Sequence, residues 1–457
     1  MRIRMAMSRN RLIVTVEDHT FNYYTKLVYS IARDQGIELV IVGGAPREIM
    51  LGRKPKDIDF LVLKGNPQTV PLMLHTNHDF FYPVLFEKFG TYRTGIKGTH
   101  ELEMEFIPIR ADTVEKDLLL RDFTINTMIM IPAGEHQYEI NDILGKALNA
   151  LREKVLQTPV EPEITIKDDP LRIMRAVRFF CTIGMQLDPA LKSASKALAH
   201  LLKDVAVERI RDELFIILLS NTPSRGMLLM KDLGILDIIM PEVLPMIGFD
   251  QRSPYHKDEL FTHSLRVMDN TPAWIETRLS ALFHDTGKPF STQQTGEKVT
   301  YYGHQDKSAE LFRTFSSRLK IPNHISDTVE ALIKRHMINY TPDWKDSTIR
   351  KFIKHNHNIL DYLLALYRAD ASSLADPSKA LSMVDELTNR INQQHVEQIS
   401  RLESPLNGNE IQKLLNIPPG PKIGEIKKAI VDAILEGTIE PTKSAAEAFI
   451  KQAYNHQ

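Results

Sequence analysis

The strongest constraint on how this chain can fold is a change of hydrophobic period part-way along it. In the first third, apolar residues come in short runs or alternate at every second position. Glu38 to Val42 runs into Gly43-Gly44, Ile58 to Leu63 makes a second run, and in Leu102 to Ile109 the apolar Leu102, Met104 and Phe106 alternate with Glu103 and Glu105. A period of two predicts strands, here one small mixed sheet. From Asp168 onward Leu171, Met174, Val177 and Phe180 recur at every third position, and almost all that follows reads as helix. The expected fold is α+β: a head with a small mixed sheet and helices, followed by an all-α neck, body and tail. Proline, glycine and serine punctuation at Pro241 to Pro254, Asp376-Pro377 and Ser404 to Gly408 divides the helical part. The boundaries read as a head over 22–150, a neck over 151–248, a body over 249–376 and a tail over 377–457. No fixed-period repeat or low-complexity tract is present, which excludes solenoid and disordered readings.

Composition narrows the function classes. The 457 residues carry a formal net charge of -1, so any contact with nucleic acid has to come from local clusters of Lys and Arg. The single cysteine, Cys181, excludes an intrachain disulfide and a cysteine-rich zinc site, and suits the reducing cytoplasm. No apolar run approaches the roughly 18 residues of a membrane span, so no membrane partner is expected. Met1 to Arg11 is basic but lacks the apolar stretch of a secretory signal.

Chemistry concentrates in the head. Val42-Gly43-Gly44-Ala45-Pro46-Arg47 follows a strand and precedes a helix-compatible segment, so the two glycines let the backbone approach a phosphate that Arg47 neutralises. A Gly-Gly pair after a strand is by itself most often a plain turn. Asp57-Ile58-Asp59 lies on the next strand, where alternation points both carboxylates to one face. Glu105, alternating outward on the third strand, can add a further oxygen ligand. Such a set suits two Mg²⁺ ions bridging a triphosphate and an attacking hydroxyl. An isolated Asp-x-Asp is more often a solvated strand edge, but the Gly-Gly-x-x-Arg ahead of it favours the metal reading.

These motifs, together with Leu51-Gly52-Arg53, Arg121-Asp122-Phe123-Thr124-Ile125-Asn126 and the run from Asp169-Pro170-Leu171-Arg172 to Arg178-Phe179, resemble the class II, bacterial-type CCA-adding enzymes and poly(A) polymerases. The resemblance implies a nucleotidyltransferase head acting on the 3′ end of tRNA, with CTP and ATP as substrates and no template. Residue by residue, it implies that Gly43, Gly44 and Arg47 hold the triphosphate and that Asp57 and Asp59 hold the metals. Glu105 is then the third carboxylate, and Arg121 lies near the sugar and phosphates. Asp169 and Arg172 read the base, and Arg175 and Arg178 line the nucleotide pocket. The base-reading role has a physical basis. Cytosine and adenine both show an amino donor beside a ring-nitrogen acceptor, which a carboxylate and a guanidinium three residues apart on one helix face complement. Uracil and guanine would leave buried groups unpaired, at about 1–3 kcal/mol each. The plainer reading of these arginines is a solvated helix face ion-paired to Asp168 or Asp169.

The sequence also departs from that family. Pro46 replaces an aliphatic residue, Glu48 an aspartate, and Leu120 the first arginine of a common Arg-Arg-Asp run. Only Ala111 to Lys116 separate Arg110 from Asp117-Leu118, where CCA-adding relatives carry a long flexible loop. That resembles relatives adding only the two cytidines, so CC addition stands beside CCA addition.

A second constellation follows in the helical body. His263, then His284-Asp285, then Asp370 reproduce an order that resembles HD-domain phosphohydrolases, with His304 and His336 as extra candidate ligands. Imidazoles with carboxylates suit a divalent transition metal that activates water against a phosphate ester, such as a 2′,3′-cyclic phosphate or phosphomonoester at an RNA end. His256 fits no place in that order. In the tail, Gly420-Pro421-Lys422-Ile423-Gly424 leads into a helix whose free N–H groups, with Lys422, Lys427 and Lys428, can grip an RNA phosphate. Its plain alternative is a loop between helices. Two other functions remain open: a poly(A) polymerase, and an RNA-binding HD phosphohydrolase whose head has lost transferase activity.

Overall fold

A computed structural model describes residues 6–8, 10–87, 90–98, 102–252, 258–295 and 298–454; His256 lies outside them. Its head is a nine-stranded mixed sheet: β1 (Ala6–Ser8), β2 (Arg11–Thr15), β3 (Glu38–Val42), β4 (Asp57–Lys64), β5 (Val84–Phe86), β6 (Thr91–Gly95), β7 (Glu103–Pro108), β8 (Ile129–Gly134) and β9 (Gln137–Asn141). The spatial order is β1-β2-β9-β8-β3-β4-β7-β6-β5. The three strands expected from the period of two form the middle of this sheet as β3, β4 and β7. The sheet is larger than expected because the hairpin β8–β9 and the strand β2 extend it, reaching back to Arg11 ahead of residue 22.

Neighbouring strands are antiparallel except for β4 and β7, which run parallel with Asp57 opposite Glu103, Asp59 opposite Glu105 and Phe60 opposite Phe106. Alternation then sorts the two faces. Ile58, Phe60, Val62, Met104 and Phe106 are buried with residues of the helices His19–Asp34, Gly44–Met50 and Thr69–Asn77. Phe60 and Phe106 stack with centroids 5.1 Å apart. The opposite face carries a smaller cluster of Val40, Val42 and Leu61, and at its end the carboxylates.

Two compact units divide the chain, Met1–Glu213 with Leu229–Ile238, and Leu214–Leu228 with Ile239–Gln457. In the first, the helices after residue 150 pack on one another, the helix Pro162–Asp168 against Pro189–Leu198 and Arg172–Thr182. The second is helical apart from a two-stranded hairpin, Gln293–Thr295 with Lys298–Thr300. Its C-terminal part has a core of its own, made by Leu406, Ile411, Ile426, Ile430, Ala446 and Ile450. The break expected near Gly408 is the start of the helix Gly408–Leu415, closed by a capping box between Asn407 and Glu410. Among the described residues no helix is long and apolar enough to cross a membrane.

The stacked pair Phe60–Phe106 locks β4 to β7 from the core side. Phe106→Ala is expected to destabilise the head by about 3–5 kcal/mol, read as a lower denaturant midpoint, because it opens a cavity in the core beneath this strand pair; a loss below about 1 kcal/mol would contradict that role.

Candidate functional site

The sheet brings Asp57, Asp59 and Glu105 onto one face, since Asp59 and Glu105 are register partners across parallel strands. On the β3 side, Val42 pairs with Asp59, so Gly43 and Gly44 lie directly beside the carboxylate. Gly43 has φ of +72°, and a Cβ there would collide with Asp59 Oδ2. The glycine is therefore needed both for its backbone conformation and for the close approach. Burial pushes the Asp59 carboxyl up to about 6; the Glu105 charge adds to the rise, and Arg121 opposes it. Asp57 is raised by burial and by Glu103 and Glu105. On the β6 side, Arg93 donates through Nε to Glu105 Oε1 at 2.8 Å and also lies 3.6 Å from Glu103. Carboxylates in register on one face, with Asp57 and Asp59 both raised, supply hard oxygen donors of the kind a divalent cation takes.

Arg121 is buried next to Gly43, with Asp117 at 3.6 Å; burial lowers its pKa against the pull of Asp117 and Asp59. Arg47 donates to Glu48 Oε1 at 2.7 and 2.9 Å and to Asn126 Oδ1, and its guanidinium lies 4.9 Å from the Phe179 ring centroid. Glu48, one of the departures noted above, is thus the acid that orients Arg47.

The arginines of the helix Arg172–Thr182 are not a solvated face. Arg175 donates to Asp122 Oδ2 at 2.5 and 2.9 Å. Arg178 lies 3.2 Å from Glu213 and 4.7 Å from the Phe179 ring centroid. Burial alone would raise Asp122, yet Arg175, Asn126 and the Phe123 N–H hold it well below the usual carboxylate range. Arg178 is pushed down to about 10 by burial and by neighbouring Arg175. Sequence reasoning missed Asp122, Asn126 and Glu213 as the acids and amide that hold this cluster. Asp122 and Asn126 stood in a quoted motif; Glu213, on a different helix, has no local signal.

The geometry inferred for Asp169 and Arg172 is corrected by the structure. They do not share one helix face: Pro170 has no N–H and disfavours helical backbone before it, so the helix Pro162–Asp168 ends and Asp169 is extended, with φ -146° and ψ 99°. Asp169 accepts from Arg209 at 2.8 Å, while Arg172 lies 3.0 Å from Asp168 and donates to the Leu120 carbonyl at 2.8 Å.

Comparison with known proteins places this arrangement. A model of the poly(A) polymerase head domain matches residues 39–157, one described as "Probable RNA and SrmB- binding site of polymerase A" matches 184–247, and one for tRNA nucleotidyltransferase domain 2 matches 300–450. The A-adding tRNA nucleotidyltransferase of Deinococcus radiodurans is 30% identical over 429 residues, 90% of this chain and 94% of that protein. The chain belongs to the tRNA nucleotidyltransferase and poly(A) polymerase family. The CC-adding tRNA nucleotidyltransferase of Thermus thermophilus is 28% identical over 90% of this chain and 92% of its own length. In fold, the nucleotidyltransferase is similar to the Bacillus stearothermophilus CCA-adding enzyme in complex with CTP, with a TM-score of 0.68 and 23% identity over 95% of this chain and 98% of that one.

In the second unit of this nucleotidyltransferase the HD residues come together. His263 Nε2 lies 3.2 Å from Asp370, and His284 Nε2 lies 3.1 Å from Asp285. Asp285 also faces His304 at 3.2 Å, His336 at 3.7 Å and Lys288 at 2.7 Å. Ligand atoms of His263, His284 and Asp285 converge within 4.8 Å, as do those of Asp285, His304 and His336. Burial on its own would raise Asp285, yet His284 and Lys288 hold it well below the usual range. Burial and the nearby His284 push His336 down to about 4, so it is a neutral imidazole at pH 7. His284 Nε2, Asp285 Oδ1 and Asp370 Oδ1 are buried without a well-aligned hydrogen bond. Buried nitrogen and oxygen lone pairs left in this state fit a cation. Gly287 keeps the turn tight: a Cβ there would stand 2.7 Å from the Ser308 backbone nitrogen.

In the tail, Gly420 is the N-cap of the helix Pro421–Glu436, and Gly420, Lys422 and Gly424 are exposed at its first turn. Lys427 and Lys428 line a cavity of about 580 Å³ with Lys354 and His355.

Ionised Asp59 is disfavoured in the fold, so its contribution to the stability of the metal-free chain is lost as pH rises from its ordinary range through about 6. Asp59→Asn is expected to raise the melting temperature in EDTA by about 2–4 °C at pH 8 and by less at pH 5, where the native carboxyl already holds a proton. A lower melting temperature at pH 8 would show that no such repulsion exists.

Proposed function

We propose that this protein extends the 3′ end of tRNA by untemplated nucleotidyl transfer, and that its head uses CTP and stops after the two cytidines. The observation that carries the transfer reading is the register that seats Asp59 between Gly43-Gly44 and Glu105. Asp57, Asp59 and Glu105 would hold two Mg²⁺ ions, which supply charge neutralisation to the triphosphate and the attacking hydroxyl. Gly43, Gly44, Arg47 and Arg121 bind the triphosphate, and Arg175 and Arg178, fixed by Asp122 and Glu213, form the floor of the nucleotide pocket. Asp169 and Arg172 read the base after exchanging their present partners. The Asp169–Arg209 pair is half-exposed, and such pairs contribute only about 0–1 kcal/mol, so a cytosine amino group can displace Arg209. Gly420, Lys422 and Gly424 are the phosphate contacts of the tail, and tRNA substrates together with a single cysteine favour a cytoplasmic enzyme.

Stopping at CC is favoured by the connector. Residues 109–113 alone join β7 to the helix Val114–Leu119. Arg110 is tied to Asp117 through its backbone N–H at 3.0 Å, so this connection has no slack with which to reshape the pocket for adenine.

The test is incorporation of labelled CTP or ATP, with Mg²⁺, into tRNA lacking its last three, two or one nucleotides. Two cytidines and no adenosine are expected. A terminal adenosine would make it a CCA-adding or A-adding enzyme, and long adenosine runs a poly(A) polymerase. Asp57→Ala and Asp59→Ala are each expected to reduce incorporation by at least about 100-fold; undiminished transfer would refute the active-site assignment.

The convergence of imidazoles and carboxylates at the HD site favours a second activity, metal-dependent hydrolysis of 2′,3′-cyclic phosphate or phosphomonoester at RNA ends. His263, His284, Asp285 and Asp370 would hold one divalent transition metal, with His304, His336 and Asp285 placed for another. Metal analysis of the purified protein is expected to find such an ion, and His284→Ala to abolish hydrolysis while cytidine incorporation continues. Hydrolysis that survives His284→Ala would exclude this site.

A further inference from the structure

The carboxylate face of the sheet does not end at the metal-binding residues. Across the strands, Asp59 is in register with Glu105, Glu105 with Arg93, and Arg93 with Val84 on the edge strand β5. Register partners share a face, and so does Phe86, two residues beyond Val84. The Arg93 guanidinium lies over the Phe86 ring, 4.9 Å from its centroid. With about 4.8 Å between strands, Val84 stands roughly 14 Å from Asp59 along a continuous surface.

That surface is unusually apolar for an edge. Tyr82, Val84 and Phe86 are 61%, 59% and 42% exposed, and Leu85 on the opposite face is 43% exposed. A row of exposed aromatic and branched residues on an edge strand is ordinarily selected against, because it invites association. Its position on one side of the carboxylates decides what it associates with. The triphosphate side of Asp59 is occupied by Gly43, Gly44 and Arg121, on the β3 flank. The β7, β6 and β5 flank is the side from which the attacking hydroxyl has to come.

We propose that Phe86, backed by Arg93 and flanked by Val84, is the stacking platform for the last bases of the acceptor RNA strand, holding the 3′ hydroxyl over the carboxylates. Resting on the transferase reading above, the proposal names the surface that receives the second substrate. Any base offers a π-face to an aromatic ring, so the platform accepts the growing end whichever nucleotide was last added. Arg93 acts from beneath: it orients the Phe86 ring by cation–π contact and the Glu105 carboxylate by hydrogen bond, linking the seat of the RNA end to the third metal ligand.

The experiment uses the full-length protein and tRNA lacking its last nucleotides, with 2-aminopurine in place of either of its last two bases and no NTP present. Binding to wild type is expected to quench the fluorophore by stacking. Phe86→Ala should abolish the quench, Phe86→Trp should keep it, and Leu85→Ala, on the other face, should leave it unchanged. In steady-state transfer, Phe86→Ala should raise KM for tRNA by about 5- to 100-fold with KM for CTP unaltered. Equal quenching by wild type and Phe86→Ala would overturn the proposal. So would a rise confined to KM for CTP, or a wild-type dimer that Phe86→Ala separates while the quench persists, which would assign the edge to a second copy of the chain. If wild type transfers no nucleotide to any tRNA, the transferase reading fails alone, since the quench is read without transfer.

Discussion

Everything the head can do depends on a backbone constraint: the parallel pairing of β4 with β7, which sets Asp59 opposite Glu105 and Asp57 opposite Glu103. Side chains free to move would separate four acids crowded on one strand pair. A ladder of backbone hydrogen bonds, locked on its reverse face by Phe60 against Phe106, does not let them. The repulsion appears as raised pKa values at Asp57 and Asp59, and it is moderated from two sides, by Arg121 near Gly43 and by Arg93 on Glu105. Neither arginine bridges the aspartates. A divalent cation bound here, as proposed, would remove the remaining repulsion and so stabilise the fold.

How much of this was legible in the sequence follows from the range of the signals. Strand periodicity is local: β3 and β7 fell within the marked runs and β4 exceeded its run by one residue at each end, with the carboxylates on the expected face. The parallel partnership of β4 and β7, and the hairpin β8–β9 that widens the sheet, depend on pairing across distance and left no mark. The arginines of the helix Arg172–Thr182 were visible, but their partners were not: Asp122 is 53 residues from Arg175, and Glu213 lies on another helix. The misreading of Asp169 with Arg172 came from counting three residues through Pro170. The missing N–H and the steric demand of proline end one helix before another begins, and the two side chains find separate partners.

The helical half shows the same division. His263, His284-Asp285 and Asp370 were recognisable as an ordered set, because each stands in its own short motif. That Asp285 is the hub, facing His284, His304, His336 and Lys288 at once, required the packed bundle. Lys288 is a resident cation on a carboxylate that would otherwise be buried and ionised alone, a costly state. With His284 it holds Asp285 deprotonated.

The short connection after β7 ties these observations to specificity. Arg110 and Arg121, at either end of the segment that follows the third carboxylate, both lie against buried Asp117, at 3.5 and 3.6 Å. Asp117 accepts from the Arg110 backbone N–H as well, so the segment is pinned at its start and at the arginine that faces Gly43 and Asp59. A pocket whose wall is fixed in this way presents one arrangement of donors and acceptors. Cytosine and adenine share the pattern of one edge but differ in size by a ring, and a protein that accepts both in turn needs a wall that moves between them. With Asp117 holding the segment from two sides, that movement would have to break contacts to a buried carboxylate at each cycle. On the proposed reading such a pinned segment would favour a single pyrimidine, with chain growth accommodated on the open side of the carboxylates.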